Sequence, residues 1–153
     1  MGYLPNSEAA IRIDKVKEIM GSKRLDATMI YYDEFNIGNG WYLTGWCPQF
    51  ECGSVLIPRV GAPMILGGPE SEPFAKLDSA ITETRNFTVF MVPDEEYRNA
   101  TITDFAALFA ELKSIIGSIK RVGLVGAGRM PAVRLWPGLA GWSLWTSLAS
   151  SLS

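Results

Sequence analysis

Ala27-Thr28-Met29-Ile30-Tyr31-Tyr32 is a short run of nearly continuous apolar character with no strict polar alternation. Such a run suits a β-strand covered on both faces, since a half-exposed strand would alternate with a period of two. A strand covered on both faces calls for helices on either side of its sheet. The residues before it supply one: from Ser7 to Met20 the residues Ile13, Val16 and Met20 fall on one stripe, with Ser7 as the candidate N-cap and Gly21 placed to end the helix. After the strand, the stretch from Asp33 to Leu43 reads as a second helix of low propensity, because it contains Gly38 and Gly40, and Gly45 stops it.

Further along, Ser54-Val55-Leu56-Ile57-Pro58 and Pro63-Met64-Ile65-Leu66 flank Arg59-Val60-Gly61-Ala62, a hairpin pattern that makes part of the sheet antiparallel. Gly67-Gly68-Pro69-Glu70 leads into a short helix through Phe74, Ala75 and Leu77. Phe87-Thr88-Val89-Phe90-Met91-Val92 reads as a strand closed by Pro93, followed by an acidic loop at Asp94-Glu95-Glu96. Thr101 with Asp104 resembles a capping box, and Ile102, Phe105, Phe109, Leu112 and Ile116 form a helical stripe that Gly117 ends. Arg121-Val122-Gly123-Leu124-Val125-Gly126 is another buried strand running into a glycine-rich turn, and Pro131 is placed to start a helix. This order of elements predicts one α/β domain with a mixed sheet between two helical layers.

Composition excludes much chemistry. The chain has 153 residues, 48% of them hydrophobic, which is enough for one core and too apolar for disorder. A formal charge of -2 gives no basic surplus for phosphates, so nucleic acid is not an expected partner. There is no histidine at all, which excludes Ser-His-Asp and Cys-His triads and every metal site built on imidazole. The two cysteines, Cys47 and Cys52, are too few for a disulfide scaffold and read as reduced thiols of a cytoplasmic protein.

The start of the chain lacks the pattern of a signal peptide, so the N-x-T sequons at Asn86 and Asn99 are read as chance. The apolar stretch from Leu135 to Leu152 carries Pro137, Gly138 and Gly141 and is a poor membrane span. Gly123-Leu124-Val125-Gly126-Ala127-Gly128 hints at a phosphate-binding turn, but a third glycine at the required spacing is replaced by Pro131, and no Asp or Glu follows to hold a ribose. The rings of Tyr31, Tyr32, Phe35, Trp41, Tyr42, Trp46 and Phe50 exceed the needs of one strand and one helical turn, and divide between core and a contact surface.

Arg12, Leu25-Asp26-Ala27-Thr28-Met29-Ile30, Asn36-Ile37 and Trp41-Tyr42-Leu43-Thr44-Gly45-Trp46 resemble, in order and spacing, the N-terminal domain of the creatinase/prolidase family, which includes Xaa-Pro dipeptidases and aminopeptidases. The hairpin and the strand at Val122 to Gly126 extend the resemblance over about Glu8 to Gly138, with Gly38-Asn39-Gly40-Trp41 spreading the usual Asn-Ile-x-Tyr-Leu spacing.

The resemblance implies a ribonuclease H-like, three-layer α/β/α domain over residues 1–138, with a non-matching tail at 139–153. It implies a domain that does no chemistry but forms homodimers and covers the active site of a catalytic half absent from this chain. Two divalent metal ions (Mn, Co or Zn) are expected in that half and none here. By position, the residues implied for covering substrate or for the dimer contact are Asn36, Tyr42, Trp46, Phe50 and Glu51, with Trp46 and Phe50 expected at the surface. The loop from Trp46 to Cys52 has no cationic residue of the kind that creatinase uses on a substrate carboxylate, which favours proline-peptide hydrolysis in the whole protein. Membrane binding is not expected. The alternatives are a stand-alone binding or regulatory domain of the same fold and a creatinase-type amidinohydrolase domain; a small nucleotide-binding enzyme rests on the glycine turn alone.

Overall fold

The structure is a computed structural model that describes residues 4–46, 48, 51–69, 71–91, 101–126 and 143–145. The chain begins with α1 (Asn6–Lys23), β1 (Ala27–Tyr32), α2 (Gly38–Thr44), β2 (Gly53–Pro58) and β3 (Met64–Gly67). A π-helical turn at Ser71–Ala75 then continues as α3 (Lys76–Asp78), followed by β4 (Thr84–Phe87), β5 (Ile102–Thr103), α4 (Phe105–Ile116), β6 (Val122–Val125) and β7 (Ser143–Trp145).

The strands form one sheet in the order β5-β4-β3-β2-β1-β6-β7. Among the described strands only β2 runs against its neighbours: it pairs antiparallel with β1 and β3, whereas β1 with β6, β3 with β4, β4 with β5 and β6 with β7 are parallel. The sheet reaches past residue 138, since Ser143–Trp145 continues it beside β6.

Both faces of the sheet are covered, as the run at Ala27–Tyr32 demands. All six residues of β1 are buried. Ile30 and Tyr32 join Val16 and Met20 of α1, Leu43 of α2 and Val55, Ile57 and Ile65 of the hairpin in one cluster. Ala27, Met29 and Tyr31 point the other way, into a cluster with Leu56, Leu66 and Phe87 under Leu108 and Leu112 of α4. Helices α1 and α2, with Ala75 of the π-helical turn, therefore cover one face and α4 the other, each fully buried aliphatic side chain contributing about 1.5–3 kcal/mol.

Several boundaries differ from the sequence reading. Helix α1 passes straight through Gly21 and ends at Lys23, where Arg24 takes the left-handed conformation at φ 56° and its N–H reaches Gly21 O and Met20 O. Its N-cap is Pro5, with Ser7 inside the first turn and no side-chain cap. The fourth strand is the polar Thr84–Phe87, and the apolar residues after it turn away, with Phe90 N–H donating to Phe87 O at 2.8 Å. Helix α4 starts from Asp104, whose Oδ1 accepts the Ala107 N–H at 2.8 Å, because Ile102–Thr103 is taken up by pairing with β4. The buried stripe of α4 is accordingly Leu108 and Leu112, with Phe105, Phe109 and Ile116 half-buried and Ile102 exposed. The acidic residues 94–96 and the helix expected at Pro131 lie outside the described residues.

Candidate functional site

Strands β1, β3, β4 and β6 point the same way, so the loops that follow them, together with the loop entering β2, gather along one edge of the sheet. In open α/β sheets this carboxyl edge is where ligands bind and where loops present contact residues. The edge here is built from 33–37 after β1, 51–53 before β2, 67–69 after β3, 88–91 after β4 and Gly126 after β6.

Asp33 shapes the first loop. Its Oδ1 accepts the Phe35 N–H at 3.0 Å and its carbonyl accepts the Asn36 N–H at 3.0 Å, an Asx turn that holds the chain outward. Asn36 is half-buried, with its side-chain nitrogen beside Gly126, the left-handed residue (φ 71°) that ends β6. At the tip of the turn Phe35 is 77% exposed. Phe35 is not among the residues expected at the site; its signal in the sequence is an aromatic ring set among Asp33, Glu34 and Asn36, where a core residue would have apolar company.

Glu51 and Cys52 return the chain to the sheet. Glu51 is half-buried with its carboxylate against the backbone of Gly68; a Cβ on that glycine would stand 2.9 Å from Glu51 Oε1 and 2.8 Å from Phe90 O. Burial pushes the Cys52 thiol up from its ordinary range; a hydrogen bond from Tyr31 opposes this, and the carboxylates of Asp33 and Glu51 add to it. Tyr31 is raised strongly, first by burial and then by Cys52 and Asp33. Phenol and thiol are therefore both neutral near pH 7, so Cys52 is not activated as a nucleophile.

The remaining expected residues fall elsewhere. Tyr42 faces α1, with the Arg12 guanidinium 4.4 Å from its ring centre and Arg12 Nη1 donating to its carbonyl at 2.7 Å. Trp46, expected at the surface, is a core residue at 7% exposure, packed in the cluster of α1 and α2. The reason is local: Gly45 turns the chain at φ 68°, and Thr44 Oγ1 takes the Trp46 N–H at 2.9 Å while donating to Trp46 O at 2.7 Å, which folds the ring inward. Phe50, Cys47 and Gln49 lie outside the described residues. The structure thus brings Asn36 and Glu51 to one edge and gives Tyr42 and Trp46 packing roles.

No group of three or more His, Cys, Asp or Glu side chains among the described residues is arranged to hold a metal ion, and no described helix is long and apolar enough to cross a membrane.

No profile of a known protein family matches the chain, and no curated protein sequence does so either. Solved structures do. The chain superposes on dipeptidase PepE of Mycobacterium ulcerans with a TM-score of 0.56 at 16% identity, 99% of this chain covering 37% of that one. On an Xaa-Pro aminopeptidase of Streptococcus pyogenes the TM-score is 0.55 at 16% identity, with 94% of each chain covered. On a prolidase of Thermococcus sibiricus it is 0.54 at 17% identity, with 95% of this chain covering 35% of the other. The chain thus spans little more than a third of the dipeptidase and prolidase chains, and over that length it has their three-layer α/β fold with a mixed sheet.

Proposed function

We propose that this chain is the N-terminal, non-catalytic domain of an Xaa-Pro dipeptidase- or aminopeptidase-like hydrolase, which pairs with a second subunit and covers the active site of a catalytic half lying outside it. The observation that carries this reading is the coverage: nearly all of this chain corresponds to about a third of a dipeptidase chain, leaving the remainder for the chemistry. The site agrees with such a role. Its carboxyl edge offers a locked turn with an exposed ring, an amide at Asn36 and a carboxylate at Glu51, which are contact groups, and its thiol and phenol are neutral.

The metal ions implied for such hydrolases do not fit this chain, which has no histidine and no described group of three acidic or thiol ligands. They would belong to the catalytic half. The residues Trp46 to Cys52 include no Lys or Arg, which favours a proline-peptide substrate over one recognised by a cation in this loop.

Reading the gene beyond codon 153 tests the proposal. An in-frame segment carrying Asp, His and Glu residues of a two-metal site supports it, and the joined protein is then expected to cleave Xaa-Pro dipeptides as a dimer. A stop codon with no such segment overturns it in favour of a second reading, a stand-alone binding domain. That reading draws on the Streptococcus pyogenes chain, which is matched over 94% of its own length and so has the size of this domain alone.

A further inference from the structure

One row of residues crosses four neighbouring strands on the α1 face of the sheet at its carboxyl edge: Tyr32, Gly53, Gly67 and Asn86, each in register with the next. The two glycines leave the middle of the row without side chains. The Tyr32 phenol leans over Gly53, and the Ser71 hydroxyl occupies the space that a side chain on residue 67 would take. Ser71 opens the π-helical turn, a rare geometry that recurs where a segment adapts to something it holds.

Ser71 and Asn86 are each 1% exposed, and neither Ser71 Oγ nor Asn86 Oδ1 has a hydrogen-bond partner among the described residues. Buried polar atoms are nearly always satisfied, so two orphaned oxygens at neighbouring places on one face of the sheet, one over Gly67 and one on the residue paired with it, call for a shared partner. Adjacent strands stand about 4.8 Å apart, which sets the separation of Asn86 from the space over Gly67. Two hydrogen bonds of about 2.8 Å meeting at a tetrahedral oxygen span roughly 4.5 Å. The two groups are neutral, and one can donate while the other accepts.

We propose that a single internal water molecule bridges Ser71 Oγ and Asn86 Oδ1, accepting from the serine hydroxyl and donating to the amide oxygen, and so fastens the π-helical turn to β4. This site stands independently of the hydrolase reading.

A high-resolution crystal structure of the chain tests it. A density peak within hydrogen-bond distance of both oxygens supports the bridge; a direct Ser71 to Asn86 hydrogen bond, or no peak, overturns it. In solution, a long-lived water gives a slow-tumbling NOE to the Ser71 amide proton of the 15N-labelled chain. Asn86→Leu, which replaces the amide oxygen with a hydrocarbon of similar length, is expected to abolish that NOE in a spectrum that stays dispersed. Should Asn86→Leu fail to fold, Ser71→Ala is read in its place, with at least half the NOE intensity lost. A wild-type chain without the NOE, or a folded variant that keeps it in full, overturns the proposal.

Discussion

The guanidinium of Arg12 lies flat enough on Tyr42 to sit 4.4 Å from the ring centre while its Nη1 donates to the carbonyl of that same residue at 2.7 Å. One side chain on α1 therefore holds both the ring and the backbone of α2, and Glu8 holds it in turn through a 2.8 Å contact one helical turn earlier. A helix of seven residues, two of them glycine, has almost no stability of its own, so its position depends on such contacts.

Arg12→Leu should accordingly cost about 2 kcal/mol in urea unfolding, the sum of a charged hydrogen bond to a carbonyl and a cation–π contact. Arg12→Lys should recover less than half, because an ammonium cannot lie on the ring and fork to two acceptors. Glu8→Gln should cost under about 0.5 kcal/mol, since that carboxylate is half exposed. Equal stability of Arg12→Lys and wild type would show that charge alone matters and that the fork does not.

Glycine to alanine should act with opposite signs at two helical positions. Gly21 is exposed inside α1 with nothing within 4 Å of a built Cβ, so Gly21→Ala should stabilise by about 1 kcal/mol. Gly40 gains the same helix propensity, but its Cβ would stand 2.8 Å from the ring of the fully buried Tyr32. Overpacking of this kind costs about 1–3 kcal/mol and should leave Gly40→Ala the less stable protein. Thermal melts of the two variants decide it; a rise at both positions would mean that Tyr32 can move aside.

Those two glycines also mark what sequence could and could not tell. Gly117 is readable as a helix end because it follows a completed stripe, and Gly45 because it closes the low-propensity segment after β1; both take a positive φ that other residues avoid. Gly21 does not end its helix: a terminating glycine and a tolerated one look alike in sequence, and Ser22 and Lys23 carry α1 on to a left-handed Arg24. The strand Thr-Arg-Asn-Phe at 84–87 gave no apolar signal because Arg85 is satisfied from outside, by Glu83 and by Glu111 of α4 at 3.0 Å. At the site, Asn36 and Glu51 are named by their positions in the family resemblance, and composition and periodicity do not single them out. The burial of Trp46 is not legible, because its direction is fixed by the hydroxyl of Thr44 and the turn at Gly45, neither of which a ring-counting argument sees.

The opposite edge of the sheet is closed by Asp26. Its Oδ2 accepts the backbone N–H groups of Lys120 and Arg121 at 2.8 and 3.0 Å, and its Oδ1 lies 3.6 Å from Arg59, so one carboxylate joins the starts of β1 and β6 to the end of β2. Asp26→Ala should cost about 2–3 kcal/mol, chiefly by leaving two N–H donors without their acceptor. Asp26→Asn, which keeps one oxygen, should cost less. A loss below about 0.5 kcal/mol for the alanine variant would mean that water replaces the carboxylate freely.

Alkaline pH should destabilise the chain through Cys52 and Tyr31. Both folded values lie above the ordinary 9.0 and 10.0, so the unfolded chain loses these protons first. The stabilisation is whole below the unfolded values and fades as pH climbs through them, the Cys52 part from about pH 9 and the Tyr31 part from about pH 10 upward to its strongly raised folded value, a range in which unfolding is coupled to deprotonation. Cys52→Ala should flatten the first part of that decline and Tyr31→Phe the later part. Melting curves that fall in parallel for wild type and both variants would assign the alkaline loss to other groups.

Phe35 and Trp46 should separate contact from core. Phe35 is 77% exposed on a turn fixed by Asp33, so Phe35→Asp should leave the melting temperature within about a degree while weakening association with a second subunit or with a catalytic half. Trp46→Ala should instead cost about 3–5 kcal/mol, as expected when a large ring is removed from a packed cluster. Sedimentation and thermal melts on the same preparations read both effects at once. If Phe35→Asp melted early, its ring would be holding the turn and no partner would be needed to explain it. If Phe35→Asp left both stability and association unchanged, the most exposed aromatic ring among the described residues would make no contact, and the covering role would pass to other groups of the carboxyl edge, Asn36 and Glu51 among them.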